Sequence, residues 1–223
     1  MAETADTKFR GLVSAMESLA ALAPLLALHN GETLPFATSE DWMQQAEKVQ
    51  GETCLSNLMY LPHLEGEVQL TEWEDYAPSH QFWFSFASSD APWTPFVWEL
   101  GNETVEAVPV DREFYAPVWQ TYPIPTNTSL INLDLLSVAE VAPLFSSVGI
   151  TSQPVLSGLL GLVDDENATT VWDFLELFAS PPSMVLHPIV EDDRVVGNLA
   201  GLVVWDSLFD NVSSYSLGSR LPA

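Results

Sequence analysis

The chain has 223 residues, 47% of them apolar, and a formal net charge of −25 from 6 basic and 31 acidic side chains. That balance excludes the basic footprint of a nucleic-acid-binding protein and disfavours docking on an anionic membrane surface. A single cysteine, Cys54, excludes an internal disulfide and a cysteine-rich zinc site.

The length fits one large domain or two small ones, and the apolar share is enough for a packed core. Residues 4–29 predict an amphipathic helix, with Phe9, Leu12, Val13, Met16, Leu19, Ala20, Ala23, Leu26 and Ala27 at helical spacing. Pro24 is expected to kink or split it, and Asn30 or Gly31 to supply a left-handed cap. The opening MAETADTKFRG is not a secretory signal, and no uninterrupted apolar run reaches the roughly 18 residues of a spanning helix. Membrane insertion by this chain itself is therefore not expected.

Thr38 or Ser39 predicts the cap of a second helix running to about Val49, closed by Gly51. Thr53–Leu61 reads as a strand ended by Pro62 and His63. Thr71 is the expected start of a short helix, TEWEDY. The aromatic segments Gln81–Phe86 and Pro95–Leu100 read as strands, with another at Thr104–Val110. Phe114–Leu136 carries Pro117, Pro123 and Pro125, which forbid a helix, so an extended irregular course with buried aromatics is expected. Val138–Phe145, Pro154–Val163 (capped by Ser152) and Thr170–Phe178 read as helices. Met184–Val190 and Val195–Trp205 flank the turn Glu191-Asp192-Asp193 and predict a hairpin. The second run is almost continuously apolar, which places it mid-sheet with both faces covered. Gly197 and Gly201 on it point to a bulge or a close neighbour. Asp206 is expected to cap a short helix.

No nucleophile elbow, phosphate loop, dinucleotide fingerprint or HExxH motif occurs. His29, His63, His80 and His187 are scattered with no metal-ligand spacing, and Cys54 with a distant histidine is too weak a signal for a catalytic thiol. No cofactor is expected. The acidic runs 164–166 and 191–193 lack the alternating oxygen spacing of a calcium loop and read as solvated turns. Phe82, Trp83, Phe84, Phe86, Trp93, Phe96 and Trp98 are either core or the lining of an apolar pocket. Asn102, Asn127, Asn167 and Asn211 each open an N-x-S/T glycosylation acceptor, which points to a secretory-pathway history.

YAPVWQ (115–120), YPIP (122–125) and INLDLLS (131–137) together resemble a segment of the ectodomains of receptor-type adenylate/guanylate cyclases of diatoms and related algae. SMVLHPIVEDDRVVGNLAGLVVWDSLF near the C-terminus is similar to that family's strand–turn–strand stretch. LPFAT (34–38) and LPHLEGEVQLTEWEDY (61–76) are similar too, so the resemblance covers most of residues 9–210. Tyr122 stands where the family usually has serine. The resemblance implies an α/β (α+β) PAS-like sensor akin to Cache and CHASE domains, with a long N-terminal helix and a central antiparallel sheet flanked by helices. It divides the chain into a stalk or scaffold helix, 1–30, and a sensor domain, 31–223, incomplete at its C-terminal end. The implied function is an extracellular or lumenal ligand-sensing region of a membrane receptor nucleotide cyclase, itself not an enzyme. Its transmembrane helix and class III catalytic domain are not in this chain.

The expected partners are a small-molecule or peptide ligand and a second copy joined through the N-terminal helix. Tyr115, Trp119, Gln120, Asn132 and Asp134 are the candidate ligand-binding residues. Trp119 would offer a stacking surface, and the polar three would supply the few hydrogen-bonding groups such a pocket needs. The same residues are also what a satisfied core would contain. Two other readings stay open: a hydrolase using two carboxylates, and a structural or adhesive domain without a ligand-sized pocket.

Overall fold

The computed structural model of the chain describes residues 2–84, 93–101, 104–125, 128–160 and 182–205, with 2–5 as backbone only. Helix α1 spans Ala2–His29. Leu12, Met16, Leu19, Ala20, Ala23 and Ala27 recur every three or four positions and are all buried. The helix continues through Pro24 instead of splitting, since the ring removes one N–H and the buried stripe on either side outweighs that loss. It ends in a Schellman motif. Gly31 takes φ 75°, its N–H donates to Leu28 O at 3.0 Å, and Glu32 N donates to Ala27 O at 2.9 Å. The span Asp6–His29 has a mean hydropathy of 1.7 and is long and apolar enough, by length and composition, to cross a membrane. Counting uninterrupted apolar residues missed it, because Ser14, Glu17 and Ser18 break the run. In this fold its buried stripe packs on the sheet, with about a third of the span buried.

Helix α2 spans Glu40–Glu52 and runs through Gly51, which was expected to close it. Strands β1 (Leu55–Pro62) and β2 (Leu64–Glu65) lead into α3 (Gly66–Tyr76), which starts more than a turn before Thr71. Burial of Leu70 and Trp73 on one face draws that first turn into the helix. Gln81–Trp83 forms a single 3-10 turn, not a strand. Trp83 and Phe84 are consecutive and both buried, which the two-faced alternation of a strand does not allow on a one-sided surface.

Strands β3 (Trp98–Leu100) and β4 (Val105–Ala107) pair as a small antiparallel ribbon. Strand β5 (Phe114–Tyr115) pairs with β2, and β6 (Thr121–Tyr122) with β1. Helix α4 covers Ala142–Thr151, later than the expected Val138–Phe145, because Pro143 fits a first helical turn and not an interior one. Ser152 is the left-handed C-cap of α4, at φ 49°, and not the N-cap of a new helix. Residues Val155–Leu159 are strand β7, which overturns the helix expected over Pro154–Val163. Pairing of Val155 with Leu186 and of Leu156 with Val185 settles a short apolar run whose period was ambiguous.

Strands β8 (Ser183–Glu191) and β9 (Arg194–Val203) form the expected hairpin. Its two-residue turn holds Asp192 at φ 49° and Asp193 at φ 62°, the left-handed pair that matches strand twist. The main sheet has the order β6-β1-β9-β8-β7, every neighbour antiparallel, so β9 is the middle strand. Leu58, Tyr60, Val185, Leu199 and Val203 face α1, α2 and α3. Met59, Leu61, Met184, Leu186, Ala200 and Leu202 face α4 and the segment Leu130–Leu135. The chain is thus a mixed α/β fold around a five-stranded antiparallel sheet covered on both faces. The four glycosylation acceptors, the run 164–166, the expected helix at 170–178 and the Asp206 cap all lie outside the described residues.

Candidate functional site

The proline-bearing stretch after β5 crosses the sheet edge and carries the five candidate residues into the interior, where each is at most 1% exposed. Trp119 lies edge-on to Trp73, with centroids 5.1 Å apart, and to Trp83 at 5.8 Å and Phe84 at 6.2 Å. Its stacking surface is met by the protein's own rings. Tyr115 donates its hydroxyl to Pro109 O at 2.8 Å. Gln120 reads the backbone of Ser39, accepting from its N–H at 3.0 Å and donating to its carbonyl at 2.8 Å.

Asn132 adopts φ 66°, accepts from Trp73 Nε1 at 3.1 Å and donates to Thr94 O at 3.0 Å. Asp134 accepts from Ala116 N at 2.9 Å and Leu136 N at 3.2 Å through one oxygen. Its other oxygen accepts from the Arg112 guanidinium at 2.8 Å, and Arg112 also pairs with Glu99. Burial raises the Asp134 carboxyl above its usual range, opposed by the Ala116 and Leu136 amides and by Arg112.

One of these residues, Trp119, leads outward to a pocket that the sequence did not single out. Trp119 Nε1 donates to Thr38 Oγ1 at 2.7 Å. The Tyr76 hydroxyl lies 2.8 Å from both Thr38 Oγ1 and Glu32 Oε1. A hydroxyl has one proton, so the consistent order is Trp119 N–H to Thr38, Thr38 O–H to Tyr76, and Tyr76 O–H to the Glu32 carboxylate. Each bond in such a chain polarises the next. Glu32 Oε2 also accepts from Thr38 N at 2.8 Å.

His80 stacks on Tyr76, with centroids 3.8 Å apart. Its Nδ1 is 2.8 Å from Tyr76 O, which assigns that nitrogen as the donor, and its Nε2 is 3.5 Å from Glu32 Oε1. Glu32, Thr38 and His80 wall a pocket of about 360 Å³ between the end of α1 and the start of α2, completed by His29, Glu40, Asp41 and Phe82.

No protein-family model matches the chain, and no curated protein matches it in sequence. A solved receptor structure is similar. It is an extracellular ligand binding receptor from Desulfohalobium retbaense, 14% identical, with a TM-score of 0.49 over 95% of this chain. The match takes in 26% of that receptor's length.

Two other concavities are larger. One of about 610 Å³ lies between the first half of α1 and the end of α2, near Lys8 and Cys54. Another of about 450 Å³ runs between α1 and β7. Burial pushes the Cys54 thiol up, away from the thiolate that a nucleophile needs. Among the described residues no group of three or more His, Cys, Asp or Glu side chains could hold a metal ion. Sequence reading missed Glu32, Thr38 and Tyr76 because they are far apart in the chain and belong to no motif. Thr38 and Tyr76 do fall within LPFAT and the TEWEDY stretch, the pieces that carry the resemblance.

Proposed function

We propose that the chain is the ligand-sensing region of an extracellular or lumenal receptor and performs no catalysis itself. The observation that carries this reading is the donor chain from the buried Trp119 to Glu32 at the 360 Å³ pocket. Its carboxylate is already aligned to accept, and Glu40 and Asp41 add acceptors on the same wall. The pocket therefore suits a small, donor-bearing, positively charged ligand. In this reading Trp119 and Gln120 serve the site by holding Thr38 and Ser39 in place. Tyr115, Asn132 and Asp134 set the course of the segment that carries them. A pocket of this volume also counts against a purely structural domain.

The finer reading is a PAS-like ectodomain of a nucleotide cyclase receptor, and it rests on the YAPVWQ–YPIP–INLDLLS resemblance. It includes N-glycosylation at Asn102, Asn127, Asn167 and Asn211. It also includes pairing of two copies through the outward side of α1, where Leu25 is 60% and Leu28 70% exposed.

Titration of the protein with guanidinium, ethylammonium, acetate and glucose, followed by tryptophan fluorescence, tests the site. A saturable change is expected for a cation, weakened at least about tenfold in Glu32→Gln and in Phe82→Ala, where a charge-assisted bond at a half-buried carboxylate or a ring contact is lost. A flat response to all four probes, or unaltered affinity in both variants, removes the pocket from the reading. The cyclase part is tested separately by sequencing the transcript downstream of the codon for Ala223. A membrane span followed by a class III catalytic domain is expected there, and a different effector domain would overturn it.

A further inference from the structure

Ser39 and Trp42 stand at the N-cap and in the first turn of α2, and both are almost wholly inside, at 5% and 3% exposure. Neither Ser39 Oγ nor Trp42 Nε1 has a hydrogen-bond partner within the protein. In the middle of a core that is unusual, because a buried donor without an acceptor loses its hydration and gains nothing in return. The two residues share one feature. Both line the same cavity of about 20 Å³, bounded also by Ala23, Ala27, Tyr60 and Gln120.

Size and chemistry narrow the occupant. A volume of that order accommodates one water and no organic molecule of several heavy atoms. The indole N–H can only donate, so the guest must accept. The Ser39 hydroxyl can do either. Tyr60 spends its proton on Pro35 O at 2.9 Å and keeps lone pairs free. Gln120 Oε1, bonded to Ser39 N, has room for a second donor. Ser39 makes no side-chain capping bond at α2, so its hydroxyl is not committed to the helix end.

We propose that this cavity binds a single water molecule, which accepts from Trp42 Nε1 and bonds to Ser39 Oγ, pinning the start of α2 between α1 and the sheet. The site shares no lining residue with the 360 Å³ pocket and does not depend on the sensing reading.

A crystal structure of the wild-type chain at high resolution is the direct test. One ordered water within hydrogen-bond distance of both atoms is expected, and a dry cavity overturns the proposal. Thermal melting of Ser39→Ala gives a second, sign-sensitive test. If the hydroxyl holds a water, its loss lowers Tm by about 2–4 °C, the size expected from losing one hydrogen bond in a chain of this length. If the cavity is dry, removing an unpartnered hydroxyl leaves Tm unchanged or raises it, which also overturns the proposal.

Discussion

Gly197 and Gly201 lie on the same face of β9 but are not equivalent. A Cβ at Gly197 would come 2.9 Å from Tyr60 Cε2 and 3.2 Å from the backbone carbonyl of Leu61. Neither neighbour can give way, since one is a ring held by Pro35 and the other belongs to the adjoining strand. A Cβ at Gly201 would meet Leu55 Cδ2 at 2.8 Å and Met16 Sδ at 3.2 Å, both the ends of flexible side chains. Gly197→Ala should therefore cost about 2–3 kcal/mol and Gly201→Ala about 1 kcal/mol or less, as measured by urea denaturation. Equal costs would mean that strand β1 yields as easily as a methionine.

His63, at the end of β1, stacks on Phe114 with centroids 5.1 Å apart. Burial lowers its pKa below the ordinary 6.5, and Glu65 opposes this only in part. Between the folded and unfolded values the unfolded chain binds more protons. This histidine therefore costs the fold nothing at pH well above 6.5 and removes stability as pH falls through that value. His63→Phe keeps a ring against Phe114 and removes the titration. The fall in Tm between neutral pH and about pH 5 should be shallower in the variant by a few degrees, and parallel curves would exclude the assignment.

At the scale of elements, Arg112 joins three pieces that share no long strand. It reaches Asp134 in the proline-bearing segment and Glu99 in β3, from a loop that follows β4. Asp134 is fully buried, so Arg112→Leu would strand a carboxylate inside while its two amide donors remain. A loss of roughly 2–4 kcal/mol is expected at neutral pH, reduced in the double variant Arg112→Leu/Asp134→Asn. A thermodynamic cycle on the two sites measures that coupling. Elements with a clear period or clear punctuation were legible in the sequence. Helix α1, its glycine cap, the β8–β9 hairpin and the extended course forced by Pro117, Pro123 and Pro125 all appear where the pattern puts them. The misreadings fall where pattern is weak and a partner decides. Residues Val155–Leu159 carry no period of their own and become a strand because β8 offers its edge. Gln81–Trp83 has β-prone side chains, but Trp83 and the following Phe84 are consecutive buried rings, and the segment turns instead.

For the molecule as a whole, the excess of acidic groups acts against compaction. Raising ionic strength from about 10 mM to about 300 mM shortens the screening length from roughly 30 Å to under 10 Å. The melting temperature should rise across that range, and a fall would imply that attractive pairs such as Arg112 with its two carboxylates outweigh the net repulsion. The candidate pocket was the least legible feature. Its walls come from residues 29–41 and 76–82, brought together by packing of α1, α2 and α3 around Trp73 and Trp119, and no local spacing encodes that meeting. The buried polar residues Gln120, Asn132 and Asp134 were visible as candidates, but sequence could not show that their partners are Ser39, Trp73 and Arg112 rather than a ligand.

The strand order has a consequence for biogenesis. β1 leaves the ribosome early, yet its long partner is β9, the last strand described, and the two are separated by most of the chain. Until β9 emerges, α1 and β1 have no completed surface to cover, and their leucines and methionines face the cytosol or a translocation channel. The sheet cannot be completed until the residues of β9 have been made, and until then the nascent polypeptide is a natural client for holdase chaperones.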